Sequence, residues 1–438
     1  MSKSTPLAKR ILWGLVIGVV AAVVTLGIGQ WHPPTLALMQ TISTAVFDPL
    51  GQVFLRMLFF VVIPLVFTSL ASGVAQLGSL DRLGPLAGRT FLLFGLNMLI
   101  AVGIGLAMMN TLQPGLHLDQ ESRTQLMQEY GSSAQQSIAT KAAQPKMSFG
   151  TLVEMFMPRN LMGAVAGPSR DALGDVLPLI LFAILVGAAA TKLREKERKR
   201  IQKALDAITD LMTKIVGFAL ELAPYAVPAM IYSVIVKVGA DVLLALSVFV
   251  AGCTVALALH LFGTLSLWLR FLAKRSPLAY FRQIRPLLIT AFSTSSSSAT
   301  LPASLAVAHE ELHLTPSTAG FVLPLGATMN MSGTALFEGC VVLFVAQTFG
   351  VDLSFSHQVI LMLLSVLSAV AVAGIPGGSL PMIAGLLATF GVPPEGIGII
   401  IGVDRVLDMM RTTVNVGSDI VTATVVDYQL RDRLSSAP

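Results

Sequence analysis

The chain has 438 residues, of which 54% are hydrophobic and 12% charged, and its mean hydropathy is +0.77. Soluble proteins have about 25% charged residues, so this composition argues against a water-soluble protein and for one polytopic membrane body. The formal net charge is +5, but the basic residues cluster beside long apolar runs, as in cytoplasmic loops, and no nucleic-acid surface is expected. Cys253 and Cys340 lie in apolar segments without metal-ligand spacing, and no cofactor is predicted.

Long apolar segments predict six membrane helices before residue 273. The first, residues 11–29, is too long for the apolar part of a signal peptide. The alternation of basic and uncharged loops places the N-terminus in the cytoplasm and predicts five further spans, at residues 53–77, 91–112, 176–191, 207–238 and 242–272. Residues 110–170 are predicted to form an external loop that leads into a broken helix.

Two later apolar segments are interrupted by polar or helix-breaking residues. A serine-rich run, residues 293–298, divides residues 287–308, and a run rich in Gly and Pro, residues 374–379, divides residues 359–390. Interrupted hydrophobic segments at corresponding places in two halves are typical of the binding site of a secondary transporter with inverted repeats. Two ordinary kinked helices are the alternative, but they would leave backbone groups without partners in lipid.

The last predicted helix carries a polar stripe. Its members, which lie on one helical face, are Asp404, Asp408, Arg411, Asn415 and Asp419. A charge at bilayer depth costs about 2.5–3.5 kcal/mol on the insertion scale, so the stripe predicts a buried site compensated by partners or by substrate. An internal salt bridge of Asp408 with Arg411 or Arg405 is the alternative, and for Arg405 it is an equally good interpretation.

Two further polar runs predict binding groups. Residues 326–334 combine Gly with Thr and Asn in an apolar helix, and an unwound turn there would direct carbonyl oxygens inward, as at the sodium sites of secondary transporters. Hydroxyls bonded to their own helix are the alternative. The four consecutive serines, residues 295–298, would place hydroxyls and amides at a hairpin tip near a helix N-terminus, which suits a carboxylate; a flexible linker is the alternative.

At these residues the chain resembles the dicarboxylate/amino-acid:cation symporter family, which includes the glutamate transporters. The motifs that carry the resemblance are SSSATLP at 296–302, NMSGT at 330–334, GIPGG at 374–378 and DMMRTTVNVGSD at 408–419. The family implies an all-α polytopic fold with eight transmembrane helices and two re-entrant hairpins in inverted repeats, and a homotrimer. The implied scaffold comprises residues 1–84 and 114–240, and the implied transport domain comprises residues 85–113, which hold helix 3, and 241–438.

The resemblance also implies roles for individual residues. The substrate-binding set is Ser296, Ser297, Ser298, Thr334, Gly378, Asp408, Arg411, Thr412 and Asn415. Arg411 and Thr334 would hold the side-chain carboxylate of the substrate, and Asp408 and Thr412 its ammonium group. The planar fork of Arg411 matches a carboxylate. Family members specific for C4-dicarboxylates tend to lack the acid at position 408, so its presence favours an acidic amino acid.

For the cations, the resemblance implies sodium ligands at Gly326, Thr328, Asn330, Asn415 and Asp419. One ion would bind at the Asp419 carboxylate, and a second between Thr328 and the hairpin tip before Pro376. A third sodium site of the family uses an aspartate where this chain has Ser332, together with a tyrosine of helix 3 that residues 94–98 lack. We therefore expect the third site to be lost or weakened.

Two more positions bear on coupling and affinity. Glu338 lies about two helical turns after Asn330, at the position that carries a proton in the animal glutamate transporters. It is the candidate for proton coupling, and a neutral, hydrogen-bonded carboxyl is the alternative. Family members usually carry a second arginine at the position of Ser295 or Met409; neither is present here, so Asp408 is expected to lack a cationic neighbour and the substrate affinity to be altered.

These observations predict a secondary active symporter of the inner membrane, with both termini in the cytoplasm. It would take up L-aspartate or L-glutamate with sodium by alternating access, with protons as a second candidate ion. A symporter of C4-dicarboxylates or neutral amino acids remains open, as does a channel, because a polar stripe also lines pores. An intramembrane enzyme is disfavoured, since no histidine stands in evident relation to Ser297 and no metal-binding motif is present.

Overall fold

The structure is a computed structural model and describes residues 7–77, 84–118, 157–166, 176–239, 241–372 and 378–434. Every regular element within these ranges is helical. The α-helices are α1 (Leu7–Trp31), α2 (Pro33–Ile42), α3 (Asp48–Phe59), α4 (Val62–Leu77), α5 (Gly84–Leu112), α6 (Leu161–Ala166), α7 (Val176–Thr191), α8 (Glu195–Val238), α9 (Asp241–Ala258), α10 (Leu265–Phe271), α11 (Pro277–Gln283), α12 (Arg285–Thr294), α13 (Ser297–Glu310), α14 (Pro316–Met329), α15 (Ser332–Thr348), α16 (Phe355–Ala371), α17 (Leu380–Thr389) and α18 (Ile397–Leu434). Short π-helical segments, Ser43–Phe47 and Leu259–Thr264, join α2 to α3 and α9 to α10.

The first group of packed helices is centred on the long helix α8, which contacts α1, α3 and α4, while α7 packs against α4. The approach of α1 is close because it presents glycine: a Cβ added at Gly18 would lie 2.7 Å from the carbonyl oxygen of Pro228. The chain is helical from Pro33 to Phe59, so helix also precedes the predicted second span, residues 53–77. Asp48 is accommodated within this run because Ser233 and Lys237 of α8 donate to its carboxylate.

The second group is centred on α15 and α18. Helix α15 packs against α5 and α18, and α12, α13 and α14 each contact α18. The most apolar window within Pro316–Thr348, which covers α14 and α15, is completely buried inside the protein. Other parts of the protein therefore surround this window, whereas Ser317 and Thr328 of α14 are exposed.

Two of the predicted interruptions are breaks between helices. Helix α12 ends at Thr294, Ser295 adopts the left-handed conformation with φ of 50°, and Ser296 caps α13. Helices α14 and α15 are separated by Asn330 and Met331. The third predicted break falls between α16 and α17, and residues 373–377 of its tip lie outside the described residues.

Among the described residues, four helical segments are long and apolar enough to cross a membrane: Trp13–Trp31, Leu86–His117, Val242–Phe271 and Pro316–Thr348. The bent helix α8, which contains Pro224 and Pro228, makes five if its two arms form one span. The predicted all-helical, polytopic class is confirmed at this level, and the count of eight spans with two hairpins stays a prediction. Most of the predicted external loop, namely residues 119–156 and 167–170, lies outside the described residues.

Candidate substrate and ion site

The polar stripe of α18 is buried as its spacing predicts. Asp404, Asp408, Arg411, Asn415 and Asp419 are each at most 6% exposed. The charged residues Asp404, Asp408 and Arg411 find partners on α18 itself, whereas Asn415 and Asp419 find partners at the α14–α15 break and in α15. The face that they share is turned toward the interior of the second helix group.

Arg411 lies at the centre of this face and is paired with two carboxylates. Its Nη1 is 2.9 Å from Oδ1 of Asp404, and its Nη2 is 2.8 Å from Oδ1 of Asp408, which also accepts from Nε at 3.0 Å. The guanidinium carbon lies 4.5 Å from the ring centroid of Phe337 in α15. A guanidinium over an aromatic face gains a cation–π interaction, so Phe337 and the two carboxylates together hold the arginine.

The expectation that Asp408 lacks a cationic neighbour is wrong. Nη1 of Arg405 is 3.3 Å from Oδ2 of Asp408, while Oδ1 of the same carboxylate faces Arg411. The reason is helical spacing, because residues three apart are neighbours on a helix surface. Asp404, Asp408, Arg405 and Arg411 thus form a chain of alternating charges whose formal sum is zero.

A small, half-open cavity lies beside this chain of charges, and the space between its lining atoms, open solvent included, is about 250 Å³. Residues from the α12–α13 break, the α14–α15 break, the α16–α17 segment and α18 line it: Ser295, Ser297, Met331, Thr334, Val372, Ser379, Asp408, Arg411, Thr412 and Asn415. Six of these belong to the predicted substrate-binding set. Three broken helices and the polar stripe therefore meet at one place.

The serine side chains at and near the cavity differ in burial and in hydrogen bonding. Those of Ser295 and Ser379, both in the cavity lining, are buried and have no hydrogen-bond partner among the described residues. The side chain of Ser296 caps α13 by accepting from the amide of Ala299 at 3.1 Å. Ser298 is exposed and does not line the cavity. The predicted residue Gly378 is buried next to Ser379 but is not itself in the lining.

Asn415 joins α18 to the start of α15. Its Oδ1 accepts from the amides of Gly333 and Thr334 at 2.7 and 3.3 Å, and its Nδ2 donates to Oγ1 of Thr334 at 3.1 Å. These amides belong to the first turn of a helix, where backbone donors lack partners within the helix. Asn415 therefore fixes the position of Thr334 at the edge of the cavity.

The residues predicted to bind the first sodium ion also meet. Oδ1 of Asp419 accepts from Nδ2 of Asn330 at 2.9 Å. A Cβ added at Gly326 would lie 2.5 Å from the same oxygen, so the backbone of α14 passes directly beside the carboxylate. The carbonyl oxygen of Asn415 accepts from Oγ of Ser418, the residue before Asp419, at 2.8 Å. The group of Asn330 that faces the carboxylate is thus its Nδ2 donor rather than an oxygen, and sodium binding at these residues stays a prediction.

The second predicted sodium site is only partly described. Thr328 is exposed, and its hydroxyl donates to the carbonyl of Leu325 at 3.0 Å. Most of the hairpin tip predicted to face it falls within residues 373–377, outside the described residues.

Neutral side chains fill the region predicted for the third sodium site. Nδ2 of Asn97, on α5, donates to Oδ1 of Asn330 at 3.1 Å, and Oγ of Ser332 donates to Oγ of Ser418 at 3.1 Å. Ser418 also accepts from Nδ2 of Asn330 at 3.0 Å. Hydrogen bonds between side chains thus join α5, the α14–α15 break and α18.

Glu338 is completely buried on α15, one turn beyond Thr334. No described residue forms a hydrogen bond with either of its carboxyl oxygens, and the hydroxyl of Ser368 on α16 is likewise without a partner. A buried carboxyl without a hydrogen-bonding partner is costly to ionise. Both the proton carrier and the neutral, hydrogen-bonded carboxyl stay predictions, and the Ser368 hydroxyl is the candidate hydrogen-bond partner.

Comparison with known proteins identifies the family of the whole chain. The model of the sodium:dicarboxylate symporter family matches residues 7–429. The chain belongs to that family. It is 30% identical over 424 residues to the proton/sodium-glutamate symport protein of Bacillus caldotenax, covering 96% of this chain and 93% of the relative.

Other relatives in this symporter family have different names. The proton/glutamate-aspartate symporter of Escherichia coli strain K12 is 29% identical over 86% of this chain and 84% of its own length. The C4-dicarboxylate transport protein of Bacillus subtilis strain 168 is 30% identical over 86% of each chain. The protein is therefore a membrane symporter for dicarboxylates or acidic amino acids and not an enzyme.

Several site residues were missed by sequence reasoning. Met331 lies within the predicted break at residues 326–334, but neither it nor Val372 was assigned to the site, because an apolar residue beside a break resembles any other core residue. Ser379 follows the GIPGG motif directly and could have been found from it. Asp404 was placed on the buried face, but its contact with Arg411, seven residues away, depends on the length of the arginine side chain.

Proposed function

We propose that the protein is a secondary active symporter that takes up L-aspartate or L-glutamate with sodium by alternating access. The observation that carries this proposal is the cavity, which places Arg411, Asp408 and two unpartnered serine hydroxyls around one small volume. An acidic amino acid has two carboxylates and one ammonium group, and each finds a group of opposite charge or a hydrogen-bond donor there.

The anionic ends of the substrate are assigned first. The guanidinium of Arg411, with Thr334, receives the side-chain carboxylate, because the planar fork matches two oxygens. The hydroxyls of Ser295 and Ser379 and the broken helix ends near Ser297 receive the α-carboxylate, since amides at a helix N-terminus favour an anion. Asp408 and Thr412 receive the ammonium group.

The coupled ion is sodium at Asp419, Asn330 and Gly326. Net positive charge that moves inward gains roughly 2.3 kcal/mol per 100 mV of membrane potential, which supports accumulation. Glu338 is proposed as a proton carrier in addition, since it lies one turn from the cavity residue Thr334 and is fully buried.

The test is uptake of labelled aspartate by the purified protein in proteoliposomes, under an imposed sodium gradient and, separately, an imposed pH gradient. We expect accumulation that depends on external sodium and that unlabelled glutamate competes for, while alanine does not. No uptake under either gradient would overturn the proposal.

A channel is separated from a symporter by counterflow. Vesicles loaded with unlabelled aspartate and diluted into labelled aspartate accumulate label transiently if one site faces each side in turn. A continuous pore gives no such overshoot.

The setting of the symporter is proposed from the resemblance and the basic loops. We place it in the inner membrane with both termini in the cytoplasm, as a homotrimer whose contacts lie on residues 1–84 and 114–240 while residues 85–113 and 241–438 move. Native mass spectrometry of the detergent-solubilised protein should give the mass of three chains; a monomer or dimer would contradict the trimer.

A further inference from the structure

We propose that Arg405 is a specificity-determining residue, which compensates Asp408 and so lets the site accept four-carbon dicarboxylates that carry no amino group. This inference rests on the proposed function and extends its substrate class. Arg405 does not line the cavity. It therefore acts through Asp408 as a positioning residue rather than by touching the substrate.

The geometry shows that Asp408 is shared between two arginines. Oδ1 faces Arg411 in the cavity, and Oδ2 lies 3.3 Å from Nη1 of Arg405. The side chains of Arg405 and Asp408 are 16% and 6% exposed, so both are largely shielded from water. Nε of Arg405 is buried and has no hydrogen-bond partner among the described residues. Among the described residues, the ion pair of Arg405 is the one that its Nη1 forms with Asp408.

The charges explain why this contact affects selectivity. Consider a substrate without an ammonium group that engages Arg411. If Arg405 were absent, the Asp408 carboxylate would lose part of its compensation and remain as a buried charge, which is strongly unfavourable. With Arg405 in place, Asp408 keeps a cationic partner whichever substrate occupies the cavity.

The same contact has the opposite effect on an amino acid. The ammonium group of aspartate must share the Asp408 carboxylate with Arg405. The positive charge of Arg405 therefore weakens the attraction between Asp408 and the ammonium group. Loss of one hydrogen bond to a charged group changes affinity by roughly tenfold or more. Removing Arg405 should therefore improve aspartate binding and weaken succinate binding, and the ratio of the two should change more than either alone.

The experiment measures inhibition of labelled aspartate uptake by unlabelled aspartate and by succinate, and direct uptake of labelled succinate, with the full chain in proteoliposomes. We expect the wild type to take up succinate. In Arg405→Gln, the ratio of half-inhibitory concentrations, succinate over aspartate, should rise by about tenfold or more. Arg405→Lys, which keeps the charge, should restore the ratio to within about threefold of the wild type.

The control is Arg282→Gln, which removes an exposed arginine of α11 and should leave the ratio unchanged. Wild type that transports aspartate but neither transports nor binds succinate overturns the inference, and this holds even if Arg405→Gln does not fold. An unchanged ratio in a folded Arg405→Gln protein overturns it as well. Failure of the wild type to transport any of these substrates overturns the proposed function instead.

Discussion

Arg411 is occupied before any substrate arrives, because Asp404 and Asp408 already neutralise it. Substrate binding at this residue is therefore an exchange of one carboxylate for another rather than the filling of an uncompensated charge. An exchange avoids the several kcal/mol that an isolated buried arginine would cost. The affinity for the substrate therefore also depends on the free energy needed to move the carboxylates of Asp404 and Asp408 away from Arg411.

Replacement of Arg411 by lysine keeps the charge but removes the fork that contacts Asp404 and Asp408 through different nitrogens. We expect Arg411→Lys to fold and to lose about 3 kcal/mol of aspartate binding, roughly a hundredfold in affinity. Thermal stabilisation of the purified protein by aspartate measures this. Lys274→Arg, at a position outside the cavity, is the control, and wild-type affinity in Arg411→Lys would contradict the assigned role.

Glu338 offers a second test at a single residue. Glu338→Gln keeps the shape of the side chain and removes the group that binds a proton. If Glu338 carries a proton inward, wild-type uptake rises as the external pH falls, and the variant loses this dependence. The measurement is initial aspartate uptake at fixed sodium and varied external pH.

The matched control for Glu338 is Asp352→Asn, which removes an exposed carboxyl and should keep the wild-type pH profile. A Glu338→Gln protein whose uptake still follows external pH as in the wild type would exclude this residue as the proton carrier.

Residue types and spacing predicted which side chains of α18 are buried, but they did not predict all the pairs. The four- and three-residue intervals from Asp404 to Asp419 require one helical face, so that face was predictable. The three-residue spacing predicts that Arg405 can form a salt bridge with Asp408. A cationic neighbour of Asp408 was therefore predictable although positions 295 and 409 hold no arginine. The partner of Asn330 on α5, Asn97, is 233 residues away in sequence, a distance that no local pattern covers.

At the scale of elements, the breaks between helices position the binding groups. The serine run and the NMSGT motif predicted breaks at the right places because Gly, Asn and consecutive Ser weaken a helix. Only the family resemblance, and no local pattern, predicted that both breaks face α18. That arrangement depends on packing of α14 and α15 against α18 over their length.

Because α14 and α18 are in close contact, adding one methyl group at Gly326 is expected to change the sodium dependence of uptake. In Gly326→Ala the new Cβ would lie 2.5 Å from Oδ1 of Asp419, closer than real atoms approach, so the carboxylate must shift. We expect the sodium concentration for half-maximal uptake to rise by about tenfold, because the Asp419 ligand moves from the ion. Sodium dependence of aspartate uptake measures it.

The same helix supplies the control. A Cβ added at Gly320 meets no atom within 4 Å, so Gly320→Ala should leave the sodium dependence unchanged and shows the effect of alanine in α14 by itself. Equal sodium dependence in the two variants would argue against an ion at Asp419.

At the scale of the whole molecule, the coupling ratio follows from the number of intact ion sites. Ser332 and Asn97 take part in a network of neutral hydrogen bonds where the family has a third carboxylate-containing site. We expect about two sodium ions per substrate. The reversal potential of aspartate-coupled flux at varied sodium gradients gives this number, and about three ions would refute the loss of the third site.

Burial of Arg411, Asn415 and Asp419 against the α14–α15 segment has a consequence for biosynthesis. Chains are made from the N-terminus. The polar side chains at positions 326–334 therefore reach the membrane before α18, which supplies their hydrogen-bond partners, has left the ribosome. Until α18 arrives, Nδ2 of Asn330 and Oγ1 of Thr334 lack the partners that they have on α18, although Oδ1 of Asn330 already has Asn97 of α5 as a partner. A ribosome stalled before residue 397 should therefore hold a nascent chain that membrane quality-control proteases degrade, and completion of α18 should end that sensitivity.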